Sequence, residues 1–170
     1  MKTRRMFSPS AIAALGLAGA VNSPAECADN QSPIVGTWQL ISISAEFLDT
    51  KEVIPPDDRV TGYLQYSPGG HMVGFLARTD LHQPAMSSYT DVERVDIYKG
   101  IIAAYASAYR IEGNKVTHHV LTAWQPDWIG SDEIRYFEIN DKALTIKTAP
   151  TKVNTLEREV VGTLTFIRVD

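Results

Sequence analysis

At 170 residues, with 44% hydrophobic and 21% charged positions, the chain suits one globular domain with room for a sizeable core. One cysteine, nine prolines and eleven glycines exclude a collagen, a disordered tail and a disulfide-stapled mini-protein. A net charge of −4 supplies no basic stripe to neutralise phosphates, which argues against nucleic-acid binding.

Residues 1–25 read as a signal peptide. Lys2, Arg4 and Arg5 form a basic start, and residues 11–21 (AIAALGLAGAV) form an apolar run too short to span a bilayer. Ser23-Pro24-Ala25 has the small-x-small form of a cleavage site, with Ala18-Gly19-Ala20 as the alternative. Thr3-Arg4-Arg5-Met6-Phe7 resembles the twin-arginine (Tat) export motif; the competing reading is an ordinary Sec signal with two adjacent arginines. Either route predicts a periplasmic or secreted protein. Residues 26–33 form a short tail, and Cys27 has no partner for an internal disulfide. The mature chain holds no second apolar stretch long enough to span a membrane.

Residues 34–170 form one domain of short alternating runs, the pattern of an antiparallel sandwich or barrel. In residues 35–48, Trp38 and Leu40 share one face while Ile41, Ile43, Ala45 and Phe47 share the other, which predicts a bend or bulge midway. Pro55-Pro56 marks residues 53–58 as a loop. Residues 60–66 and 71–78 flank Ser67-Pro68-Gly69-Gly70, a hairpin signal. Thr90 and Glu93 have the spacing of a capping box and open a helix, whose stripe of Val92, Val95, Tyr98, Ile101 or Ile102, and Tyr105 is expected to pack on the sheet. Strands follow at 106–112, 115–124, 133–139, 143–148 and 160–169, with 149–158 as a loop. The total is about eight strands with one helix inserted after the third.

Gly36-Thr37-Trp38 resembles the G-x-W signature of lipocalins and related calycins, and Phe166-Ile167-Arg168 supplies the arginine that such folds lay across that tryptophan. Gly62 to Met72 (GYLQYSPGGHM), Val116-Thr117-His118-His119-Val120 and Trp128-Ile129-Gly130 are similar, in the same order, to the small lipocalin-like domain family over roughly residues 34–169. The resemblance implies an all-β, closed antiparallel barrel of about eight strands with an internal cavity. Gly36, Trp38 and Arg168 would close its base. The family has no uniform activity, and the mid-chain helix and missing disulfides depart from classical lipocalins.

A two-residue turn at Gly113-Asn114 pairs Ile111 with Val116, Tyr109 with His118 and Ser107 with Val120, all on the more apolar and therefore inward face. His119 then points outward. Arg135, Phe137 and Ile139 form the candidate inward face of the next strand. The predicted ligand-binding residues are His118 and Arg135 as polar anchors among Tyr66, Phe75, Tyr109, Trp124 and Phe137. His118 reads either as an acid/base or as a core histidine bonded to Tyr109. A buried Arg135 needs a counter-ion from the chain or from a ligand. Trp124, Pro126 and Trp128 would gate or plug one barrel end.

No metal is expected, because His118 and His119 point to opposite faces and His71, His82 and Asp80 lack ligand spacing. No nucleophilic triad, phosphate loop or cofactor motif is present. Three readings follow. The first is an exported barrel that binds a small hydrophobic or amphipathic molecule. The second is a cofactor-free isomerase or cyclase using His118 and Arg135 as proton carrier and oxyanion partner. The third is a filled barrel serving as a module for a partner protein.

Overall fold

The computed structural model describes residues 32–81, 89–153 and 158–170. The signal peptide, most of the short tail with Cys27, and His82 lie outside the described residues.

Among the described residues, ten strands and one α-helix follow in chain order: β1 (Gly36–Phe47), β2 (Val53–Ile54), β3 (Val60–Tyr66), β4 (His71–Arg78), α1 (Asp91–Gly100), β5 (Ile101–Glu112), β6 (Lys115–Ala123), β7 (Asp132–Asn140), β8 (Ala143–Thr148), β9 (Thr151–Val153) and β10 (Arg158–Arg168). Strand β1 pairs with β3 on one side and β10 on the other, so the antiparallel sheet closes on itself. Eight strands make the barrel. The two short ones, β2 and β9, add to β1 and β10 and replace parts of the loops expected at 53–58 and 149–158.

The barrel can close because β1 changes face. Its register against β10 shifts between Leu40 and Ser42, leaving Ile41 as a bulge that points to solvent. Before the bulge Trp38 and Leu40 face inward; after it Ile43 and Ala45 do. One strand thereby serves two differently oriented stretches of a curved sheet.

The base is solid. Arg168 lies opposite Trp38 with its guanidinium carbon 4.2 Å from the ring centroid. Its two terminal nitrogens donate to the carbonyls of Val35 at 2.8 Å and Pro33 at 2.6 Å, and Trp38 Nε1 donates to the Ile34 carbonyl at 2.8 Å. Gly36 sits at φ +139°, and a Cβ there would overlap the Arg168 guanidinium, so both backbone and space demand glycine. Ile34, Tyr66, Met72, Val116, Leu144 and Phe166 join Trp38 in one core cluster.

Two expectations are corrected. The helix ends at Gly100, and the run from Ile101 to Tyr105 opens β5. A β-branched and aromatic run after a glycine favours strand over a further helical turn. The helical stripe also fails to pack on the sheet: Val92 is 79% exposed, and Val95 and Tyr98 are exposed as well. The capping box itself is formed, with Thr90 Oγ1 accepting from the Glu93 amide and the Glu93 carboxylate accepting from the Thr90 amide.

Candidate functional site

The half of the barrel away from Trp38 is hollow. A cavity of about 370 Å³ is lined by apolar side chains that include Ile43, Leu64, Leu76, Ile146 and Leu164, with Ile54, Pro55 and Asp57 among its other walls. That volume sits near the low end of small-molecule pockets, which run from about 300 to 1,000 Å³.

His118 and Arg135 both line this cavity. The Gly113-Asn114 hairpin pairs Ile111 with Val116, Tyr109 with His118 and Ser107 with Val120, so His118 points inward and His119 outward. His118 is 1% exposed. Its Nε2 meets the Tyr66 hydroxyl at 2.9 Å and its Nδ1 meets the Tyr105 hydroxyl at 2.8 Å. Burial, with the nearby Arg135 charge, pushes the His118 pKa down to about 3, so the ring is neutral at ordinary pH. Burial likewise raises both tyrosine pKa values, keeping the phenols protonated.

Arg135 pairs in register with Val116, and Glu133 with His118, so the two β7 side chains share the inward face. Arg135 Nη2 meets Glu133 Oε2 at 3.0 Å, and its Nη1 donates to the Ile134 carbonyl at 2.9 Å. Glu133 Oε1 also accepts from Ser131 Oγ at 3.3 Å. The counter-ion that a buried arginine requires therefore comes from the chain, two residues away.

The other predicted residues sit differently. Tyr66 is buried behind His118 rather than on the cavity wall, and Tyr109 packs edge-on against it at 5.2 Å between ring centroids. The Tyr109 hydroxyl donates to the Ser67 carbonyl at 2.8 Å, so His118 is not bonded to Tyr109 as expected. Phe137 packs against the core cluster. Phe75 points outward and is 55% exposed. Tyr66 pairs with Met72, which puts Met72, Gly74 and Leu76 inside and turns Phe75, expected in the lumen, outward. Trp124 packs with its ring tilted against Tyr98 of the helix at 4.4 Å between centroids, and Trp128 lines the cavity with its ring edge-on to Tyr105 at 5.9 Å. Among the described residues no group of three metal-ligating side chains forms, and no helix is long and apolar enough to cross a membrane.

Two members of the site escaped the sequence reading, Tyr105 and Glu133, while Trp128, expected to gate or plug one barrel end, lines the cavity. The signal for Tyr105 was there, since it shares parity with Ser107 and Tyr109; assigning it to the helical stripe concealed this.

A closed antiparallel barrel, sealed at its base by a tryptophan–arginine stack and hollow above, defines a calycin-type protein. The chain belongs to the lipocalin-like domain family, which matches residues 35–169. No curated protein matches the chain. Among solved structures it is similar to a mutant of the fluorescent protein UnaG, at 18% identity over 81% of this chain and 96% of that one, with a TM-score of 0.36.

Proposed function

We propose that this is an exported barrel that takes a small hydrophobic or amphipathic molecule into its lumen. The supporting observation is the 370 Å³ cavity, mostly apolar along its walls, with hydrogen-bonding groups that include Tyr105, His118 and Arg135. Apolar burial would supply the affinity and the polar cluster the orientation. The isomerase or cyclase reading is less well served. A general base needs a free nitrogen and a pKa near the working pH. Both ring nitrogens of His118 are occupied, and its pKa lies near 3.

The test is a fluorescence titration with the neutral apolar dye phenylnaphthylamine, run on the protein and on Ala103→Trp, which places an indole in the lumen. Saturable binding that the substitution abolishes supports the proposal. Equal binding to both proteins locates the dye on the surface and removes it. Export is tested separately by replacing Arg4 and Arg5 with lysines: loss of export supports the twin-arginine route, and undiminished export counts against it.

A further inference from the structure

His118 is neutral, so one ring nitrogen carries a hydrogen and the other accepts one. Which is which follows from Tyr66. Its hydroxyl is buried, and among the described residues its hydrogen-bond partner is His118 Nε2. Were Nε2 to carry the hydrogen, the phenol would only accept, and its own O–H would be buried with nothing to receive it. Tyr66 must therefore donate to Nε2. Nδ1 then holds the ring hydrogen and donates to the Tyr105 hydroxyl oxygen 2.8 Å away. Tyr105 thus accepts from Nδ1, and its own O–H is left to point elsewhere. Tyr105 lines the lumen.

We infer that Tyr66 and His118 form a one-directional relay that fixes Tyr105 as a hydrogen-bond donor into the cavity, so that this end of the lumen selects an apolar molecule carrying a neutral carbonyl. The relay rests on the lumen-binding reading above. The guanidinium adds N–H groups beyond those given to Glu133 and the Ile134 carbonyl, so the unspent capacity is chiefly donor. Glu133 decides against a carboxylate. It already balances the Arg135 charge, and it acts on Tyr105 through its own negative charge. A second carboxylate would meet it unscreened in a low-dielectric site. A neutral carbonyl oxygen accepts from Tyr105 with no such repulsion. Tyr66 and His118 are positioning residues here; Tyr105 is the one that touches the ligand.

The experiment compares three probes of matched shape by calorimetric titration: acetonaphthone, naphthoate and ethylnaphthalene. The protein should bind acetonaphthone about three- to ten-fold more tightly than ethylnaphthalene, the worth of one buried hydrogen bond, and more tightly than naphthoate. Tyr105→Phe should erase the preference over ethylnaphthalene while leaving the hydrocarbon's affinity in place. Nitrogen-15 NMR of unliganded wild-type protein reads the relay without any substitution: the His118 ring should show a protonated Nδ1 and a bare Nε2. A protonated Nε2, equal binding of ketone and hydrocarbon, or tighter binding of naphthoate each overturns the inference while leaving the lumen as a binding site. Failure of all three probes to bind overturns the lumen-binding reading and this inference with it.

Discussion

Acidification should unfold this protein through His118 before its carboxylates are involved. In the unfolded chain a histidine titrates near 6.5, whereas burial and Arg135 hold His118 near 3 in the fold. The unfolded chain then binds a proton that the folded one refuses, so lowering the pH favours unfolding. Stability is full above about pH 6.5 and declines from there toward pH 3, where both states are protonated. Over the window from pH 7 to pH 5 the loss is about 2 kcal/mol, at about 1.4 kcal/mol per pH unit once the unfolded histidine is titrating. This window lies above the titration of Asp57 and Asp80, which Arg59 and Arg78 hold below the ordinary carboxylate range. Urea denaturation of wild type and His118→Gln at both pH values isolates the effect. The variant will be less stable at pH 7, having lost part of its bonding to Tyr66 and Tyr105. Its further loss on going to pH 5 should be smaller than that of wild type by about 2 kcal/mol. Equal losses in the two proteins would mean that His118 is readily protonated in the fold, and the neutral-ring argument would fail.

Three further outcomes are expected. Gly36→Ala should lower stability by at least about 2 kcal/mol in the same assay, because it strains a positive φ and displaces the guanidinium that covers Trp38; a loss under about 0.5 kcal/mol would show that the base does not depend on this contact. Arg135→Met should cost more stability alone than together with Glu133→Gln, since the single change strands a partly buried carboxylate; additive costs in the double-mutant cycle would deny the coupling. Val92→Ser should change the urea midpoint by no more than about 0.5 kcal/mol in equivalent stability, given its exposure, whereas a loss of 1 kcal/mol or more would mean that this helix face is packed in solution.

Strand alternation carried much of the fold. The Gly113-Asn114 turn set the β5–β6 register, and from it followed the inward His118 and outward His119. The face change in β1 marked the bulge at Ile41, because a half-buried strand has no other reason to move its apolar residues from one parity to the other. The errors arose where parity had no fixed reference. Ser67-Pro68-Gly69-Gly70 marks a turn but does not say whether Tyr66 faces His71 or Met72, and that single residue decides where Phe75 points. At residues 101–105 the isoleucine, alanine and tyrosine side chains fit either a helical or a strand repeat, and only the pairing of β5 with β4 settles the matter. The partners of Arg135 and His118 were legible only in outline. Charge balance required a counter-ion, but Glu133 becomes evident once β7 is known to place it two residues away on the same face.

Methyl-resolved NMR during titration with phenylnaphthylamine reads the position of the bound molecule directly. The methyl signals of Ile43, Leu76, Ile146 and Leu164, which surround the hollow half of the barrel, should shift and saturate together, while those of the outward-facing Val73 and Leu121 stay in place. Shifts confined to Val73 and Leu121, or to Val92 and Val95 on the exposed helix, with the interior methyls unmoved, would contradict the account.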